Sequence, residues 1–433
     1  MIAPPEFSKL SWKERIQLLA MMAFVATLTF ARELNQVFLI IFLVSCIPVW
    51  SKTKWNNQWK NIAILSSTFL ISIATSFYPD NFLPALKVLE IQLAMILVPL
   101  LLCCSYEPTP FKNKAIFIAF GASISVALIY LLVFFVYKMI SEGIPLSGWF
   151  QEQYLNHHFS APIDMHATFL SAYASIALYY IIISFSQTRS SLIKGLLLLL
   201  IMVFFIALFM LAARMVLALT CLCLILFIPY EIAKRKWFNR LLLGGVIVAL
   251  LGYFFTSSNY LESRFTSHVD KDVKLAQLID FIRHPDSATQ HDLMKNDGAR
   301  IERWVAGCQL VKENPVFGYG TGSEKRVLFQ RYEKLGLTVT LGQGYDSHNQ
   351  FLAFALKSGI FGLAAFLLTM IFSFYHAFRS RNFLYVTFLV VATGICLIDN
   401  LLEGNKGVFY FAFFNTLFFL NTQSPLLTGK RAR

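Results

Sequence analysis

Residues Gly195–Ala212 read GLLLLLIMVFFIALFMLA, eighteen positions without a charge. A helix needs about 20 apolar residues to cross ~30 Å of hydrocarbon, so a run of this length and purity reads as a transmembrane helix. Working outward from it, comparable runs fall near 16–31, 36–50, 61–78, 86–105, 115–138, 161–185, 215–231, 241–256, 349–375, 383–398 and 407–422. The composition agrees: 57% of the 433 residues are hydrophobic and 14% charged, too apolar for ordinary soluble domains. The expected fold is an all-α integral membrane protein of about twelve transmembrane helices, and an even count puts both termini on one side.

Lysine and arginine near span ends are retained in the cytoplasm. With cytoplasmic termini, nineteen of the 37 basic residues fall inside, at positions 9–15, 52–60, 112–114, 189–194, 234–240, 379–381 and 430–433. The short opposite loops, 79–85 and 399–406, hold few. The first apolar run follows a basic start, but it lacks a clear A-x-A cleavage site and a second span follows within a few residues, so it reads as a retained helix.

Segment 257–347 interrupts the spans and carries twelve basic and twelve acidic residues, so the net charge of +13 arises elsewhere. A nucleic-acid partner is not implied. The chain divides into a nine-span region at 1–256, a mainly helical outer loop at 257–347 between spans 9 and 10, and a three-span region at 348–433 with a cytoplasmic tail. There is no twofold internal repeat. Of seven cysteines only Cys308 lies in the loop, and the histidines lack zinc-site spacing, so neither a disulfide framework nor a metal site is expected.

Within the loop, Val273–Ile282 mixes apolar and charged residues at helical spacing. A second helix at 298–313 follows Asn296-Asp297-Gly298 and stops at Asn314-Pro315. On it Arg300, Arg303, Trp304 and Gly307 share one face. That face suits phosphate contact beside a sugar-facing aromatic, and equally suits a solvated amphipathic helix. Gly318-Tyr319-Gly320-Thr321-Gly322 lacks the strand and spacing of a nucleotide fingerprint and reads as a turn into a third helix near 323–335. A smaller outer loop at 139–160, with Trp149, Tyr154, His157 and His158, is placed to cap the same cavity.

Where the large loop re-enters the membrane the sequence runs Asp346-Ser347-His348-Asn349-Gln350, followed by Gly359-Ile360-Phe361-Gly362. A histidine here can take a proton from a hydroxyl nucleophile, because its ordinary pKa of about 6.5 leaves it largely neutral at neutral pH. The same pair also reads as a plain helix cap. The two glycines would let a neighbouring helix approach closely. Arg214, between two apolar runs, is costly near hydrocarbon unless it meets an anion or reaches headgroups. Its planar donors suit a lipid-linked diphosphate, and snorkelling to lipid phosphate serves as well. His166 opens a span from the outer side, as a site group or as an interhelical hydrogen-bonding group. Asp270-Lys271-Asp272 has a D-x-D form but reads as a solvated charge run.

The spacing from His348-Asn349 to Gly359 and Gly362 resembles the signature of the O-antigen ligase family at its loop-to-membrane junction. Gly298-Ala299-Arg300 with Trp304, then Glu313-Asn314-Pro315 and Gly318-Tyr319-Gly320, is similar to the arginine-bearing helix and N-P-x-x-G-x-G turn of that ligase/polymerase superfamily. Arg214 falls where the family places an arginine after a short outer turn, although Ala218 stands where leucine is usual. Asn400–Gly407, with Glu403, resembles the acidic outer turn before the last span. The resemblance covers roughly residues 160–420.

It implies a metal-independent GT-C-like glycosyltransferase of lipopolysaccharide biosynthesis in the bacterial inner membrane, needing no cofactor. Such an enzyme takes a glycan from undecaprenyl diphosphate and attaches it to the lipid A core sugar on the periplasmic face, with inversion. It gives catalytic roles to His348, Arg300 and Arg214, and substrate contacts to Asn349, Arg303, Trp304, His166 and Glu403. Membrane lipids are the remaining expected partner. An O-antigen or capsule polymerase and a protein O-glycan ligase fit the same resemblance. A twelve-span transporter fits less well, since transporters often show related halves and mid-membrane ionisable groups, whereas these candidates gather at one face.

Overall fold

The computed structural model describes residues 4–77, 82–232 and 300–424, and every regular element among them is helical. The expected span at 241–256, the Val273–Ile282 helix, the Asp270-Lys271-Asp272 run and the basic clusters at 234–240 and 430–433 lie outside the described residues. Fifteen helices of eight residues or more can be followed. In chain order they are α1 Trp12–Ala26, α2 Arg32–Cys46, α3 Lys52–Leu65, α4 Ser67–Ala74, α5 Phe82–Gln92, α6 Ala94–Ser105, α7 Pro110–Ser141 and α8 Ala167–Gln187. There follow α9 Ser191–Met210, α10 Arg214–Ile232, α11 Arg300–Glu313, α12 Glu324–Lys334, α13 Gln350–Arg379, α14 Phe383–Ile398 and α15 Asn405–Gln423.

Among the described residues seven helical stretches are long and apolar enough to cross a bilayer, and an eighth follows if the α3–α4 pair, bent by 65°, is one span. The chain is an all-α membrane protein. Its outward side chains say the same: Leu192, Leu196 and Leu199 on α9 and Val133, Tyr137 and Ile140 on α7 are all exposed, an arrangement that water would penalise and lipid does not. Exposed Trp12, Trp50, Trp55 and Trp59 gather near the basic ends of α1 and α3, where indole rings favour a membrane interface.

Several runs depart from simple spans. The first helix stops at Ala26 rather than 31, and the sixth begins at Ala167 because 161–166 form a short 3-10 turn and its cap. Helix α15 is buried along nearly its whole length at the centre of the bundle. Phe413, Phe414, Leu417 and Phe418 pack against neighbours on several sides. Its polar residues are matched: Asn415 accepts from the Tyr385 hydroxyl at 2.7 Å, and Asn421 accepts from Asn113 at 2.9 Å. In hydrocarbon such bonds between helices replace the water a polar group would otherwise need.

The helices alternate so that contacts define two ends. Lys112 meets Glu14 at 2.7 Å and Arg381 meets Tyr230 at 3.1 Å at one end. At the other, Tyr173 donates to the Lys406 carbonyl at 2.8 Å, Gln92 donates to the Leu402 carbonyl at 3.3 Å, and the Asn156 amide donates to Met210 at 2.9 Å. Helices α11 and α12 pack over this second end through a small core of Ala306, Leu310, Leu328 and Tyr332, which Leu356 of α13 joins to the bundle.

The junction is a break in α13. Ser358 (φ −133°) and Gly359 (φ +58°) leave helical geometry, which frees the carbonyls of Leu356 and Lys357. The turn after α11 takes them up: Tyr319 and Gly320 amides donate to these carbonyls at 2.8 Å each, and Ile360 donates back to Pro315 at 2.9 Å. Gly318, Gly320 and Gly322 all have positive φ, as the turn reading requires. Thr75, below the α4 end, binds both Thr321 and Ser358 hydroxyls, at 2.9 and 2.8 Å. The sequence predicts a neighbouring helix against the α13 glycines; they instead admit the turn after α11 and the bend of α13 itself. A Cβ at Gly359 would lie 2.2 Å from the Val316 carbonyl oxygen of the turn, and one at Gly362 would meet Phe354 across the break.

Gly359→Ala combines that clash with a left-handed backbone that side chains resist, each worth on the order of 1–3 kcal/mol. We expect a clear fall in the melting temperature of the detergent-solubilised protein, with Gly336→Ala as the comparison, because Gly336 shares the positive φ but has open space around it.

Candidate functional site

Three segments meet at the second end of the bundle: the 346–349 entry to α13, the 399–403 turn after α14, and the His166 entry to α8. The α13 entry is set by its own sequence. Asn349 caps α13 by accepting from the Leu352 amide at 3.0 Å and donates to the Leu397 carbonyl at 3.2 Å. Asp346 accepts from the His348 amide at 3.0 Å, which holds His348 in the left-handed region at φ +43°. A histidine there is uncommon and is kept only by surrounding contacts.

So placed, the His348 ring has a carboxylate on each side. Nδ1 lies 3.4 Å from Asp399 Oδ1, and Nε2 lies 3.7 Å from Asp346 Oδ1. The other Asp399 oxygen lies 3.8 Å from His166 Nε2. The flanking histidines hold the Asp399 carboxyl below its ordinary value although burial alone pushes it up. Nothing in the sequence singles out Asp399, the first residue of the short outer loop at 399–406. Helices α13 and α14 form an antiparallel hairpin, and that topology brings it to His348.

His166 also stacks edge-on to His157, with ring centroids 4.2 Å apart. Of the four outer-loop residues singled out, His157 reaches the site. Trp149 instead donates to Ile144 at 3.0 Å, and Tyr154 and His158 line a small recess beside α7. Burial pushes the His166 pKa down from 6.5, with the charges of His348 and Arg300 acting in the same direction and Asp399 opposing. A histidine held below 6.5 binds fewer protons folded than unfolded, so its contribution to stability is complete above 6.5 and is lost as the pH falls below it. The melting temperature of the wild type is therefore expected to fall more between about pH 7.5 and about pH 5.5 than that of His166→Gln.

The arginine-bearing face of α11 is not solvated. Arg303 is buried, with its guanidinium over the Tyr345 ring at 4.5 Å, and Tyr345 in turn lies edge-on to His348 at 5.6 Å. Gly307 lets the Leu352 side chain come against the helix. Arg300 is half-buried and its charge is felt at both His166 and Arg303. Trp304 presents a buried Nε1 without a hydrogen-bond partner among the described residues, as does His166 at Nδ1. Arg214 opens α10 after a tight turn in which Ala212 has φ +48°. Helix α10 packs on both α8 and α14, so Arg214 stands at the end of the bundle where His166 and Asp399 lie.

Glu403 is differently engaged. Both its oxygens bind Lys357 at 2.5 Å, and one also accepts from Gln350 at 3.0 Å. Lys357 is fully buried at the α13 break and has Glu324 of α12 at 3.5 Å as a second partner. The sequence reading gave Glu403 a substrate contact and passed over Lys357, although an ionisable residue inside an apolar span is itself a signal. Among the described residues, no three His, Cys, Asp or Glu side chains converge as a metal site would require.

The family model described as O-antigen ligase matches residues 172–367. The chain carries an O-antigen ligase family domain. The matched stretch contains Arg214, Arg300, Arg303, Trp304, His348 and Asn349, while His166 lies shortly before it and Asp399 and Glu403 lie outside it, in the turn after the next helix. Members of this ligase family are glycosyltransferase-like enzymes, ligases and polymerases, acting on lipid-linked glycans. No curated protein matches the chain.

Proposed function

We propose that this O-antigen ligase domain transfers a glycan from undecaprenyl diphosphate to the lipid A core oligosaccharide, at the periplasmic face of the bacterial inner membrane. In this reading twelve spans place both termini in the cytoplasm, and the 257–347 loop is periplasmic. The observation that carries it is the His348 ring held between Asp399 and Asp346, close to an arginine-bearing helix, at one end of a membrane bundle.

Asp399 at Nδ1 favours the tautomer that leaves Nε2 as the base. The acceptor hydroxyl gives its proton to His348 Nε2 as its oxygen attacks the anomeric carbon. The bond from that carbon to the diphosphate oxygen breaks, and the diphosphate leaves with the electron pair. Arg300 and Arg214 stabilise the departing charge, where fixed guanidinium groups do the work a metal does elsewhere. Arg303, Trp304, Asn349 and His166 contact the donor headgroup, with the Trp304 and His166 nitrogens offering hydrogen bonds. Glu403 acts at one remove, by holding the turn that carries Asp399. Attack opposite the leaving group inverts the anomeric centre.

The test is ligation in vitro with purified protein, undecaprenyl diphosphate glycan and lipid A core, in the presence of EDTA. Core-linked product from the wild type supports the reading. Carrier-linked glycan that lengthens without core product moves the assignment to polymerase, and dependence on added metal contradicts the arginine mechanism.

A further inference from the structure

A cavity of about 770 Å³ lies beside the His348 site, between α5, α12 and the segments at 346–347 and 400–403. That volume is in the roughly 300–1,000 Å³ range of small-molecule sites. We infer that it is the acceptor subsite, taking the phosphate-bearing saccharide head of a lipid-anchored acceptor. This rests on the ligase reading above.

Its position comes first. Asp346, the carboxylate on the Nε2 side of His348, lines the cavity, as do its neighbour Ser347 and Asn400, the residue after Asp399. Arg214, Arg300 and Arg303 do not line it, and His348 itself stands behind Asp346 and Ser347 rather than in its wall. In a displacement the nucleophile and the leaving group take opposite sides of the anomeric carbon, so a hydroxyl delivered past Asp346 to Nε2 would enter from a side that the arginines do not line. A neighbouring hydroxyl on the same ring would reach Asp346.

The lining chemistry fits a sugar. Asn400 lines this space and is only 7% exposed, and its buried amide oxygen has no hydrogen-bond partner among the described residues. A buried acceptor left unpaired costs free energy, and a sugar hydroxyl would satisfy it. Phe329 offers a ring to a sugar's apolar face, and Glu333 offers a further acceptor.

The lining also fits a phosphate. Lys87, Lys325 and Arg326 are exposed and border the cavity, and none has a carboxylate partner within salt-bridge distance among the described residues. Finally, the α5 wall gives a route from the bilayer: Val88 and Ile91 line the cavity while Leu83 and Leu86 on the same helix are exposed. An acceptor can keep its acyl chains in lipid while its head enters.

The test is equilibrium binding of the full chain in lipid nanodiscs to two separate probes, lipid A core and undecaprenyl diphosphate glycan. The variants are Lys87→Glu with Arg326→Glu, Asn400→Leu, and Arg300→Ala. The charge-reversed double variant is expected to bind lipid A core about tenfold or more weakly while holding the donor as the wild type does, and Asn400→Leu to shift in the same direction. Arg300→Ala is expected to do the reverse. Lipid A core stripped of phosphate should bind the wild type as weakly as the intact core binds the double variant. Loss of donor binding in the double variant, equal loss of both probes, or no change overturns the subsite. A wild type that shows this split yet forms no core-linked product keeps the subsite and removes the ligase reading. Core-linked product with an unchanged acceptor KM in the double variant does the opposite.

Discussion

His348→Ala is expected to lower the turnover of glycan transfer by about a hundred- to ten-thousand-fold, the range that a positioned general base contributes. Donor binding should persist, because the arginines and Trp304 lie on other elements. The protein should also fold, since His348 is only half-buried and the α13 cap is made by Asn349. Asp399→Asn tests the same site from its other side. The amide keeps the shape but no longer selects the Nδ1–H tautomer, so turnover should fall by a similar order while the KM for either lipid changes little. A His348 variant with wild-type turnover would show that this histidine only caps its helix.

Lys357→Met is expected to be the most destabilising single change among the described side chains. It leaves the carboxylates of Glu403 and Glu324 facing each other at the α13 break without their shared cation. Removing one partner of a buried pair costs roughly 3–5 kcal/mol, mostly through the charge left behind. Thermal unfolding in detergent reads the loss. Adding Glu403→Gln to Lys357→Met should recover part of it, since a neutral amide is cheaper to bury and can still meet Gln350. Activity should fall with stability in the single variant, because Gln350 accepts from the Leu402 amide at 2.7 Å and so ties this cluster to the Asp399 turn. A Lys357→Met protein as stable as the wild type would mean that the two acids are protonated or hydrated rather than held by the lysine.

Local signals in the sequence carried much of the architecture and part of the site. Uncharged runs located the long helices, and Asn314-Pro315 ended α11 where a proline ring must. His348-Asn349 marked the start of α13, and the glycine run before α12 was a turn. Pairings between distant segments were not legible. Nothing near Asp399 announces that a helical hairpin returns it to His348 and His166. The bends at Ser66 and Ser358 were hidden inside apolar runs, because hydropathy records the solvent and not the backbone. Lys357 was visible as a lone cation in a span, but its partners Glu324 and Glu403 belong to segments that only the folded chain unites.

In the proposed mechanism the glycan passes in one displacement from the lipid diphosphate to a saccharide hydroxyl activated by His348. The anomeric configuration of the new linkage tests it most directly, read by NMR on product made by purified wild-type protein from a donor of known configuration. The configuration is expected to be inverted. Retention would require a glycosyl-enzyme intermediate and two displacements, and would contradict it.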